Sequence, residues 1–289
     1  MRHAVILYAA REGSSAITSH LRRHPRIAVP VFEQLDHYLV QEQVPPERRR
    51  HLPAALRRVF RSGRYGPDFF AAGSGEEAPA ATAAEGLRVV FKWRGWGPDA
   101  AVAEIFAAEG VGVFLLNRRD LLNLGLSLHF TREVVGGGAL VHPQFTVIEM
   151  PEAERPAYLA ALRARRFRVE PGRLAAELRE HIAAKRAVLD AMAGFAARGI
   201  PVRPLWYEEF RDAPEPFLTA LLARLGLKLW RQVLRTEYVK VSREDMREQV
   251  ENPAELEADP EIRGLLEEWA RFCAEVEAMA SGSPGLKGG

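Results

Sequence analysis

Four short β-favouring runs punctuate the chain: Val5 to Tyr8, Leu87 to Phe91, Val111 to Leu116 and Val202 to Trp206. Each gives way within a few residues to a stretch of helical periodicity. Strands separated by helices cannot be joined by tight hairpins. Each return to the sheet crosses over through a helix, which makes the strands parallel. The pattern therefore predicts an α/β fold of three layers, a central parallel sheet flanked by helices.

The other segments fit around that frame. Ile27 to Phe32 reads as a further extended piece after His24-Pro25, and helices are expected from Pro46 to Arg61, Asp99 to Glu109 and Asp120 to Phe130. A long amphipathic helix carries Leu174, Leu178, Ile182, Leu189, Met192 and Phe195, and helices close the chain at Phe217 to Leu225 and Gly264 to Met279. Residues 67–86, rich in Ala, Gly, Pro and Glu, read as a mobile loop. Residues 131–150 include Gly136-Gly137-Gly138 and suit an acceptor lid, and 281–289 read as a frayed tail. There is no internal repeat, and one domain over residues 1–289 is expected.

Composition removes several function classes. The single Cys273 excludes an internal disulfide and a cysteine-based zinc cluster, which suits a reducing compartment. The apolar run after Met1-Arg2-His3 is too short, and too soon followed by Arg11, for a signal peptide or membrane span, so a cytoplasmic protein is expected. The net charge of +2 gives no overall pull toward nucleic acid or membrane. Arg48 to Arg64 and Arg163 to Arg168 are locally basic, and fit either solvated helix faces or a rim that attracts an anionic donor or acceptor. His129 and His142 have no companion spacing that would hold a metal, and none is expected.

Two segments carry chemistry. Arg11-Glu12-Gly13-Ser14-Ser15 lies where the first strand turns into a helix. A glycine there lets the backbone approach an anion, the first helical N–H groups and the hydroxyls donate to it, and Arg11 adds fixed charge. Ser14 and Ser15 also suit a helix cap. A Walker A loop would need a further glycine and a lysine that are not present. The second segment is Arg119-Asp120 with Ser127 eight residues after Arg119, at the exit of a buried strand, where open α/β sheets bind ligands. Eight residues are roughly two helical turns, so an arginine fork and a hydroxyl can share a phosphate monoester.

Together the segments resemble the donor site of sulfotransferases that use 3′-phosphoadenosine-5′-phosphosulfate (PAPS), bacterial and carbohydrate-acting members in particular. Arg11-x-Gly13-Ser14-Ser15 is similar to the family's 5′-phosphosulfate loop, and Arg119 with Ser127 to its 3′-phosphate motif. Trp206-Tyr207-Glu208-Glu209-Phe210, and Val239-Lys240-Val241-Ser242 with Asn252, resemble its two later elements. The resemblance implies a P-loop-like fold and a PAPS cofactor held by Arg11, Glu12, Gly13, Ser14, Ser15, Arg119, Ser127, Tyr207 and Lys240. It further implies a small-molecule or carbohydrate acceptor, Arg11 on the leaving phosphate, and Lys92 near the transferred group. Glu33 is the implied general base, with His37 as its alternative. Trp93 and Trp96 fit either a stacking role or the core. Glu12 departs from the family, which places a hydroxyl residue there. Its carboxylate must turn away, pair with an arginine such as Arg22 or Arg23, or weaken the donor. A P-loop-type small-molecule kinase and a catalytically silent nucleotide-binding module are the competing readings.

Overall fold

The structure, a computed structural model, describes residues 1–29, 52–62, 86–93, 100–135, 147, 150–235 and 243–281. The expectations placed on Glu33, His37, Trp96, His142 and Lys240, and on most of 67–86, 136–146 and 282–289, lie outside the described residues. In chain order the main elements are β1 (His3–Leu7), α1 (Ser14–Leu21), β2 (Ile27–Ala28), α2 (Leu52–Ser62), β3 (Arg88–Trp93), α3 (Ala100–Ala108) and β4 (Val111–Asn117). There follow α4 (Leu121–His129), α5 (Arg155–Ala164), α6 (Pro171–Ala196), β5 (Val202–Trp206), α7 (Tyr207–Asp212), α8 (Pro214–Arg224), α9 (Pro253–Ala258) and α10 (Pro260–Ser281). The chain groups into two compact units. The first comprises Met1–Asn117 with Lys185–Thr236, the second Arg118–Ala184 with Glu237–Gly289.

The first unit holds a parallel sheet in the order β2-β3-β1-β4-β5. All five residues of β1 and all seven of β4 are buried, as strands covered on both faces must be. β5 is an edge strand, where Pro204 costs no ladder bond on its open side. From β1 the chain moves past β3 to one edge, and from β3 past β1 to the other side. Right-handed crossovers then place α1 on one face of the sheet and α3 on the opposite face. Phe60 of α2, Phe106 of α3 and Phe195 of α6 meet on that second face together with Phe91 and Trp93. By strand alternation Lys92 points to the α1 face. This is the three-layer α/β architecture that the alternating pattern predicts.

In the second unit α4 is buried along its whole length. A Cβ on Gly125 would overlap the Leu178 side chain of α6, so the glycine lets the two helices approach. The helix α4 runs on into a π-helical segment, Phe130–Val135, at the point where the sequence predicts the start of an acceptor lid. Trp269 of α10 stacks on Phe272 at 4.7 Å between ring centres.

Candidate active site

The strand β1 ends in the core, and the chain must reverse direction within six residues to enter α1. It does so with two left-handed residues, Arg11 at φ 67° and Gly13 at φ 89°. Arg11 is the one non-glycine residue with positive φ among the described residues. That conformation costs an L-residue about 1–2 kcal/mol and persists only where its surroundings hold it. Such turns direct successive backbone N–H groups toward one point and make anion-binding concavities. Gly13 is the cap of α1, and no side chain caps it, contrary to the capping role expected of Ser14 and Ser15. Those two are the first residues of the helix itself. Their N–H groups have no intrahelical acceptor and stand at the positive end of the helix dipole.

Several side chains converge on this loop within the first unit. Lys92, nearly fully buried, donates to Ser15 Oγ at 2.9 Å, and its ammonium lies 5.2 Å from the centre of the Tyr8 ring. The register explains the contact. Lys92 pairs with Ile6 on β1, and Tyr8 is two residues further along the same face. The Tyr207 ring rests against Gly13 so closely that any Cβ there would overlap Cδ2 and Cε2. Arg11, Gly13 and Ser15 are half-buried, whereas Ser14 is buried. Of the residues singled out from the sequence, Arg11, Glu12, Gly13, Ser14, Ser15, Lys92 and Tyr207 are thus assembled at one strand exit. Trp93, in contrast, packs edge-on against Phe106 in the core.

Of the outcomes open to Glu12, the structure takes the first: the carboxylate turns inward, away from the mouth of the loop. Its side chain is fully buried. Oε2 accepts the Ala9 N–H at 2.7 Å, and Lys185 Nζ lies 3.1 Å from Oε1 and 3.2 Å from Oε2. Lys185, also fully buried, donates in addition to the Leu116 carbonyl at 2.5 Å. Lys185 is the residue that sequence reasoning missed. It occupies a position on the apolar stripe of α6, between Ile182 and Leu189, and a lysine there signals a buried partner.

The second unit holds the other basic segment. Arg119 is exposed and forms an ion pair with Glu277 at 3.2 Å. Asp120 caps α4 by accepting the Asn123 N–H at 3.0 Å, and both its oxygens accept from Arg247 at 3.0 Å. Burial raises the Asp120 pKa, but the Arg247 and Asn123 hydrogen bonds and the nearby guanidinium charges outweigh it and hold the carboxyl below its usual range. Trp269 Nε1 donates to the Arg118 and Arg119 carbonyls at 3.0 and 3.1 Å, fixing the backbone that carries Arg119. Asn123 donates to the Glu244 carbonyl and accepts from the Met246 N–H. Ser127 is buried in the second half of α4. Asn252 bonds the Val169 backbone in both directions and so pegs that segment in place. Sequence reasoning did not single out Arg247 or Trp269, because both act through the backbone and Asp120 from distant segments.

No family model matches the chain, and no curated protein matches its sequence significantly. Solved structures do resemble it over nearly its whole length. A protein from Alicyclobacillus acidocaldarius is 17% identical, with 97% of this chain and 96% of that one covered and a TM-score of 0.44. A domain of the Synechococcus PCC 7002 olefin synthase is 17% identical, with 97% and 95% covered and a TM-score of 0.44. A domain from the curacin biosynthetic pathway is 12% identical, with 97% of each chain covered and a TM-score of 0.45. All three are sulfotransferases or sulfotransferase domains. Likeness this shallow gives no residue correspondence.

Proposed function

We propose that this protein is a sulfotransferase that moves a sulfuryl group from PAPS to a hydroxyl of a small-molecule or carbohydrate acceptor. The observation that carries the reading is the loop of residues 11–15. A strained Arg11, a glycine pressed against an aromatic ring and a buried lysine bonded to Ser15 meet at the start of a helix. That arrangement suits a phosphate whose negative charge grows during reaction. The acceptor oxygen forms a bond to sulfur, and the bond between sulfur and the bridging phosphate oxygen breaks. The electron pair leaves on adenosine 3′,5′-bisphosphate. Arg11 and the N–H groups of the first turn stabilise the leaving phosphate, and Lys92 meets the transferred group. Tyr207, beside Gly13, borders the nucleotide. Arg119 and Ser127 take the 3′-phosphate and Lys240 is a further contact to the donor, as the sequence resemblance implies. The acceptor proton passes to Glu33. Catalysis of this kind is positioning and electrostatics rather than covalent chemistry by the protein.

The test is incubation with PAPS and a library of hydroxyl acceptors, read by mass spectrometry for the gain of one SO₃ group. Transfer is expected with at least one acceptor, lost in Glu33→Ala while adenosine 3′,5′-bisphosphate still binds. Binding of magnesium-ATP in place of the bisphosphate would favour a kinase and overturn the assignment.

A further inference from the structure

The loop of residues 9–15 takes its shape from a buried ion pair beneath it. Glu12 sits between the two left-handed residues, and its carboxylate accepts the N–H of Ala9 at the start of the same loop. The loop is thereby closed on itself across three residues. Lys185 holds that carboxylate and also the carbonyl of Leu116, next to last in the neighbouring strand β4. Both side chains have no exposed surface. A carboxylate beneath an anion loop would repel the donor if it stood alone, and Lys185 neutralises it. An isolated buried lysine would be equally unfavourable, so each member requires the other.

We infer that Glu12 and Lys185 act as a positioning pair, which fixes the donor-binding loop and cancels the charge that Glu12 brings to it. Neither residue touches the donor through its side chain. The effect on the donor rests on the sulfotransferase reading above, whereas the effect on the loop does not.

Four proteins test the inference: the unsubstituted chain, Glu12→Gln, Lys185→Met and the double variant. In the double variant neither member of the pair remains as a lone charge, and the amide oxygen introduced by Glu12→Gln can still accept from Ala9. It therefore reports on the pair even if Lys185→Met fails to fold. Hydrogen exchange of the backbone amides is read without ligand. Lys185→Met is expected to speed exchange over residues 9–15 while β1 and β4 keep their protection. Affinity for adenosine 3′,5′-bisphosphate should fall roughly tenfold or more, with the KM for PAPS rising and that for the acceptor unchanged. The double variant should lie closer to the unsubstituted protein than Lys185→Met does. Unchanged loop exchange and bisphosphate affinity in Lys185→Met and in the double variant would overturn the inference. So would exchange that rises equally through β1, β4 and α6, since that marks a general packing role. If the unsubstituted protein fails to bind the bisphosphate while exchange responds as expected, the donor reading falls and the positioning pair stands.

Discussion

His3 shows how one side chain couples the sheet to pH. It is buried, and its Nδ1 accepts the Val89 N–H at 2.9 Å, which requires the neutral ring. Burial, followed by the charges of Arg2 and Arg88, lowers its pKa to about 4 from the ordinary 6.5. The unfolded chain therefore binds a proton that the folded chain refuses between those values, and stability rises with pH across that window. The contribution is complete above about 6.5 and is lost as pH falls toward about 4, at up to ~1.4 kcal/mol per pH unit. Urea unfolding from pH 7 to 4.5 should show this decline, and His3→Gln, which can still accept from Val89, should flatten it. A decline of equal slope in the variant would assign the effect to other groups. Residues of this kind are only partly legible in the sequence. Arg11, Gly13 and Ser15 announce themselves by type and place, whereas the direction of the Glu12 carboxylate depends on a partner 173 positions away.

At the scale of elements, strands are legible where burial on both faces leaves a continuous apolar run. β5 matches its expected limits, and β3 extends two residues past them because Lys92, a charged residue, still sits in the ladder. The start of α1 departs from expectation for a specific reason. Serines before an apolar run usually cap a helix, but here the cap is a left-handed glycine and the serines lie inside. That turn tolerates substitution poorly. Gly13→Ala meets two obstacles, a backbone at φ 89° and the Tyr207 ring. The backbone term alone costs about 1–2 kcal/mol. The variant should unfold at lower urea concentration with an unchanged m-value, and its affinity for adenosine 3′,5′-bisphosphate should fall in parallel. Retention of full affinity in the folded variant would separate the turn from the ligand.

For the whole molecule, the sequence reveals the parallel sheet but not its order, because periodicity identifies strands and says nothing about which are neighbours. The order β2-β3-β1-β4-β5 places the Arg11 loop at the end of the central strand, where the direction of winding reverses and ligands collect in such sheets. The basic segments fall in different units, Arg11 in the first and Arg119 in the second, so each can be tested by how its ligand stabilises the entire chain. A ligand that binds only the folded state adds about 2.7 kcal/mol at a hundredfold excess over its Kd. Adenosine 3′,5′-bisphosphate should therefore raise the unfolding temperature, and adenosine 5′-phosphate at the same concentration should raise it less. In Arg119→Ala the difference between the two ligands should shrink, because what separates them is the 3′-phosphate. Arg119 is exposed and its ion pair with Glu277 contributes little to stability, so the variant itself should unfold at nearly the unsubstituted temperature. A difference that is undiminished by the substitution would remove Arg119 from the donor site and leave the Arg11 loop to bind an anion of another kind.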